Sequence, residues 1–84
     1  MKTKDKVLIL INEFPGIELW QLCNLAHLNK SNIFFHVKTL EEKELIERIE
    51  IGNKKNLKIH PTKKGKDLYL KLKFESLIKA NTKS

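Results

Sequence analysis

Between Lys30 and Thr39 the chain reads KSNIFFHVKT, and its polar members fall at a spacing that gives them a common direction. At about 100° per residue, Ser31, Asn32, Phe35, Lys38 and Thr39 share one side of a helix, with Lys30 at its start and Glu42 one turn on. Serine and asparagine offer neutral donors and acceptors, lysine a cation, and phenylalanine and the threonine methyl an apolar contact. Such side chains can hydrogen-bond base edges or phosphate oxygens. Asparagine can be bidentate to adenine, and phenylalanine or threonine can touch a thymine methyl.

A second group is basic. Residues 53–66 hold six lysines and no acid, whereas five of the ten acids, Glu41, Glu42, Glu44, Glu47 and Glu50, crowd into ten positions. Asn53, Lys54, Lys55 and Lys58 in this basic segment are candidate contacts for a polyanion. The formal charge of +7 favours such a partner. A lysine- and asparagine-rich composition would produce a similar excess on a merely solubilised surface, so charge alone does not decide.

The other reactive residue types form no constellation. Cys23 is the only cysteine and cannot form an intramolecular disulfide, and His27, His36 and His60 match no metal-ligand spacing with it. No Ser-His-Asp or Cys-His arrangement occurs, and no glycine-rich loop follows a strand. No enzyme activity, metal or cofactor is expected. No signal segment opens the chain, and the longest apolar run, Val7 to Ile11, is far too short for a bilayer. A reduced, cytoplasmic, nucleoid-associated chain with no membrane partner is the expectation.

Eighty-four residues suffice for one small domain, 1–84, with a modest core. Val7, Leu8, Leu10, Ile11 and Phe14 predict a helix over 4–13, which Pro15 ends because its predecessor cannot stay helical. Leu19, Leu22, Cys23 and Ala26 share one face of a second helix over 18–26. Asn29 is a good N-cap for a third over 30–43, with Leu28 and Ile33 as a hydrophobic staple. That helix buries Ile33, Val37, Leu40 and the aliphatic stem of Glu44. Three residues between two helices make a helix-turn-helix candidate.

After Leu45 the period changes from 3.6 to 2: Ile49 and Ile51, then Leu57 and Ile59, alternate with polar residues and predict a two-stranded ribbon tipped by GNKKN. The ribbon and its tip, residues 52–58, form a basic wing. Thr62 caps a last helix over 63–79, with Gly65 tolerated in its first turn. Leu68, Tyr69 and Leu72 lie on one side of this helix and Leu70, Phe74, Leu77 and Ile78 on the opposite side. A helix apolar on two sides needs two partners, which predicts a homodimer built on the second stripe.

The order helix, helix, helix, ribbon, helix, together with LNKSNIFFHVKTLEEKELIER and NKKNLKIHPTKKGKDL, resembles the winged helix-turn-helix of MarR-type transcriptional regulators. The matching positions include Leu28, Lys30, Ser31, His36, Val37, Lys38, Leu40, Glu41, Lys43, Leu45, Ile46 and Arg48, then Thr62, Lys64, Gly65 and Lys66. The resemblance covers residues 17–68. It implies an α+β, mostly α, winged-helix fold whose third helix enters the major groove of double-stranded DNA while the wing follows the backbone or minor groove. Glu44 departs from the glycine usual at the end of that helix, so a residue poorly suited to left-handed geometry must make the exit. Asn53 and Lys54 stand where the family's wing has Asp and Arg, which weakens minor-groove readout but not phosphate contact. The long terminal helices that enclose a ligand are missing from the pattern, so no small-molecule effector is assigned.

Phe34, on the flank of the third helix, is expected to pack, and Phe35, amid polar residues, to meet the groove. His36 is expected to be partly buried and hydrogen-bonded, His27 and His60 to face solvent, Cys23 to be a small buried thiol, and Trp20 to pack. An alternative use of the same fold is a protein-interaction module in which Phe35 and Trp20 form an apolar docking patch.

Overall fold

The computed structural model of the chain describes residues 2–50 and 57–82. Apolar residues at helical spacing form α1 (Thr3–Glu13), which turns Val7, Leu8 and Ile11 into the core. The N–H of Phe14 still reaches the carbonyl of Leu10 at 2.9 Å before Pro15 and Gly16, the latter at φ +84°, redirect the chain. Ile17 and Glu18 then form a short strand, β1, and Glu18 also caps α2 (Leu19–Ala26). Its carboxylate accepts from the backbone of Gln21 while its own N–H donates to Gln21 Oε1 at 3.0 Å, a capping box. His27, left-handed at φ 56°, closes α2.

Asn29 begins α3 (Lys30–Glu42) as expected, its Oδ1 accepting from the N–H of Asn32 at 2.8 Å. The exit is made by Glu44 at φ 60°: its N–H donates to Glu41 O and that of Leu45 to Leu40 O, each at 3.0 Å. This double closure normally uses glycine. The Glu44 stem is exposed rather than buried, because the residue lies past the helix end, where the helical wheel no longer fixes direction.

β2 (Ile46–Glu50) and β3 (Leu57–Pro61) pair antiparallel with Arg48 opposite Ile59. The expected two-stranded ribbon is one part of a three-stranded sheet of order β1-β3-β2, since Ile17 and Glu18 pair with Ile59 and Lys58. The wing tip, with Asn53, Lys54 and Lys55, lies outside the described residues.

Thr62 joins the sheet to α4 (Lys63–Thr82). Its hydroxyl donates to Glu44 O at 2.7 Å and accepts from the Gly65 N–H at 3.0 Å, while its own N–H donates to Leu45 O at 3.1 Å. Gly65 is required here rather than tolerated: a Cβ at this position would lie 1.8 Å from Leu45 O. Leu22 and Ala26 of α2, Ile33, Val37 and Leu40 of α3, and Ile46 and Ile59 of the sheet close the core around α1, with Leu68 and Leu72 of α4 packed against it. The architecture is the expected α+β, mostly helical, winged helix-turn-helix.

Candidate nucleic-acid interface

The buried stripe of α3 fixes what its opposite side presents. With Ile33, Val37 and Leu40 inward, Ser31, Asn32, Phe35, Lys38 and Glu42 are exposed, and Lys30 is exposed at the N-terminal end. The side chains of Ser31, Asn32 and Lys38 make no hydrogen bond or ion pair with other described residues, so their donors and acceptors face solvent. Thr39 is half-buried, and its hydroxyl donates to Phe35 O at 2.9 Å. That narrows Thr39 to its methyl group and acceptor lone pairs.

The two phenylalanines divide by angle. Phe35 is 66 % exposed and meets the His36 ring edge to face at 5.6 Å. This ring contact takes the place of the hydrogen bond expected for His36. Phe34 is 43 % exposed on the flank, with the Arg48 guanidinium 5.8 Å from its ring centroid. Trp20 does not pack as expected. It is 59 % exposed on the outer side of α2, and its indole N–H donates to Glu18.

Arg48 was visible in the sequence only as a matching position. In the structure it donates from Nε to Glu41 Oε2 at 2.8 Å and from Nη2 to Glu41 Oε1 at 2.7 Å, a bidentate pair between β2 and α3. These hydrogen bonds hold the Glu41 carboxyl below the usual carboxylate range and push the Arg48 guanidinium up. No periodicity connects the two residues, because one lies on a helix and the other on a strand beyond its end.

Lys58 is the one wing candidate within the described residues. Its ammonium pairs with Glu18 Oε1 instead of standing free, and with the Trp20 N–H it keeps the Glu18 carboxyl below its ordinary range. The pair ties β3 to the start of α2. Cys23 is half-buried, not sealed in the core, and lines with Trp20, Phe34 and Leu57 a groove of about 600 Å³ between α2, α3 and β3. His27 is exposed as expected, whereas His60 is half-buried against Gly16.

On α4, Leu70, Phe74, Leu77 and Ile78 are all exposed, while Leu68 and Leu72 pack against the core, and Leu77 borders a groove shared with Ile9 and Glu13 of α1. Among the described residues no group of His, Cys, Asp and Glu could hold a metal ion, and no helix is long and apolar enough to cross a membrane.

A helix-turn-helix with an exposed polar third helix, flanked by a β wing, defines the winged-helix class. Residues 3–57 match the MarR family, and the chain belongs to it. That membership, in a family of transcriptional regulators, agrees with the reading of the chain as a non-enzyme. Among solved structures it is similar to the transcriptional regulator SlyA, at 29 % identity and a TM-score of 0.86 over 93 % of this chain and 56 % of that one. A MarR protein from Peptoclostridium difficile gives 22 % identity and a TM-score of 0.86 over 95 % of this chain and 53 % of that one. FabT of Streptococcus pneumoniae, solved in complex with DNA, gives 20 % identity and 0.81 over 93 % and 56 %. The chain thus spans about half the length of these proteins. No curated protein matches it.

Proposed function

We propose that the chain is a single winged-helix unit, residues 1–84, that binds double-stranded DNA in a sequence-specific manner as a homodimeric transcriptional regulator. In this reading α3 lies in the major groove with Lys30, Ser31, Asn32, Phe35, Lys38 and Thr39 toward the bases and phosphates. Asn53, Lys54 and Lys55 of the wing follow the backbone or minor groove, while Lys58 must give up its pair with Glu18 to join them. The observation that carries it is the side of α3 on which the side chains of Ser31, Asn32 and Lys38 stand exposed with no hydrogen bond or ion pair to other described residues, on a fold that FabT shares and that was solved with DNA in that case. Two recognition helices related by a two-fold axis would read half-sites about 10 bp apart or a multiple of that spacing. DNA as partner places the protein on the nucleoid.

Fluorescence anisotropy on random duplex DNA at two salt concentrations tests it. Log affinity should fall against log salt by roughly 0.9 per phosphate neutralised. Affinity that stays flat between low and physiological salt overturns the reading. Selection from a random oligonucleotide pool should then enrich a pseudo-palindrome.

The alternative, a protein-docking patch made by Phe35 with Trp20, is less well supported. The groove beside Trp20 is lined by Phe34 and not by Phe35, and the Trp20 indole is engaged with Glu18.

A further inference from the structure

We propose that Arg48 is a positioning residue for α3: by gripping Glu41 and stacking on Phe34 it sets the roll of the helix, and so governs discrimination between DNA sequences. The proposal rests on the DNA-binding reading above and names a determinant of its specificity.

Phe34 and Glu41 are seven residues apart, so they stand on one stripe of α3 about two turns, or roughly 10 Å, from each other. The Arg48 guanidinium bridges that interval, bidentate to Glu41 and 5.8 Å from the Phe34 ring centroid. Among the described residues this pair is the only side-chain hydrogen bond or ion pair between α3 and another element. Everything else that seats the inner face of α3 is aliphatic: Ile33, Val37 and Leu40. Apolar burial is non-directional and resists separation more than rotation, whereas a planar two-point fork fixes an angle.

The angle matters because the side chains that read DNA in this proposal project from the same cylinder. With side chains, a helix has a radius of about 5–6 Å, so a roll of about 20° displaces their tips by about 2 Å. Productive polar contacts tolerate about 0.5 Å. Non-specific phosphate contact, made by flexible lysines, tolerates far more. Loss of the grip therefore damages specific binding and spares random binding. Arg48 is itself poorly placed to hold DNA, since Nε and Nη2 are committed to Glu41.

The test compares wild type, R48K, R48A, E41Q and the R48K/E41Q double variant, as full chains, on a pool-selected duplex and a scrambled one of equal length at two salt concentrations. R48K keeps the charge and loses the fork. It should lower the ratio of selected to scrambled affinity by about tenfold, with scrambled affinity and salt slope unchanged. E41Q should do the same, and the double variant should be no worse than either. If both single variants keep the wild-type ratio, the proposal is overturned. If E41Q tightens binding to both duplexes while R48A loosens both and makes the salt slope shallower by about 0.9, Arg48 touches phosphate and the proposal is again overturned. A wild type that binds neither duplex in a salt-dependent way removes the DNA reading itself, and the proposal with it. Residual dipolar couplings supply a readout without DNA: in R48K the N–H vectors of α3 should reorient against those of β2 and β3, and unchanged couplings overturn the proposal.

Discussion

Gly65 on α4 and Leu45 after α3 approach so closely that a side chain cannot fit between them: a Cβ at 65 would lie 1.8 Å from the Leu45 carbonyl oxygen. That oxygen also accepts from the Thr62 N–H, which pins it in place. Replacing a helical glycine with alanine ordinarily stabilises by about 0.5–1 kcal/mol. Here the sign should reverse. G65A is expected to destabilise by about 2 kcal/mol or more, read as a lower urea midpoint at unchanged slope.

Glu44 should behave in the opposite way. Its left-handed backbone costs a non-glycine residue about 1–2 kcal/mol, and glycine gives back part of that through its freer unfolded state. E44G is therefore expected to raise stability by about 0.5–1 kcal/mol in the same denaturation assay. The carbonyl that receives the Thr62 hydroxyl belongs to the backbone and is kept.

Acid should act through Glu41 and Glu18. Both carboxyls are held below their ordinary range, Glu41 chiefly by hydrogen bonds from Arg48 and Glu18 chiefly by that from Lys58. A depressed folded-state value means the contribution is complete above the unfolded carboxylate value of about 4.3 and is lost as pH falls through the folded one. Melting temperature should hold between about pH 7 and pH 5 and drop below about pH 4.3. E41Q should be less stable than wild type at neutral pH and lose less on acidification, and parallel profiles would contradict it.

The apolar stripe of α4 should be the dimer contact. Leu70 and Phe74 are more than half exposed. Replacing both with serine should convert a sedimenting dimer into a monomer and abolish the dependence of melting temperature on protein concentration. Unchanged sedimentation would place self-association elsewhere.

Much of this molecule was legible in the order of its residues, and what was not shares a physical cause. The helices announced themselves through 3.6-residue periodicity, and Asn29 and Thr62 could be recognised as caps because capping is local chemistry. β1 could not be seen: two residues hold no period, and their partners, Ile59 and Lys58, lie about forty positions on. Gly65 looked merely tolerated because its neighbour is backbone from another element. On the outer side of α3, helical angle separated Phe35 from the buried stripe of Ile33, Val37 and Leu40, but Phe34, expected to pack, is 43 % exposed on the flank. Helical angle could not foresee that Thr39 turns its hydroxyl back to Phe35, that Glu18 engages Lys58, or that Arg48 reaches across to Glu41. Each depends on where a side chain from one element finds a partner once the elements are assembled.

The sheet order β1-β3-β2 has a last consequence, for how the protein avoids others of its kind. β3 is paired on both sides, which leaves β2 with one row of backbone N–H and C=O groups that no strand among the described residues satisfies. Such a row is a template for any extended chain that drifts alongside. β2 reads IERIE, three charges in five positions. Parallel, in-register addition of the same segment would set Glu47 against Glu47 and Arg48 against Arg48, two like-charge contacts that oppose it. The strand that carries the grip on α3 is thus also defended against fibre growth by its own composition.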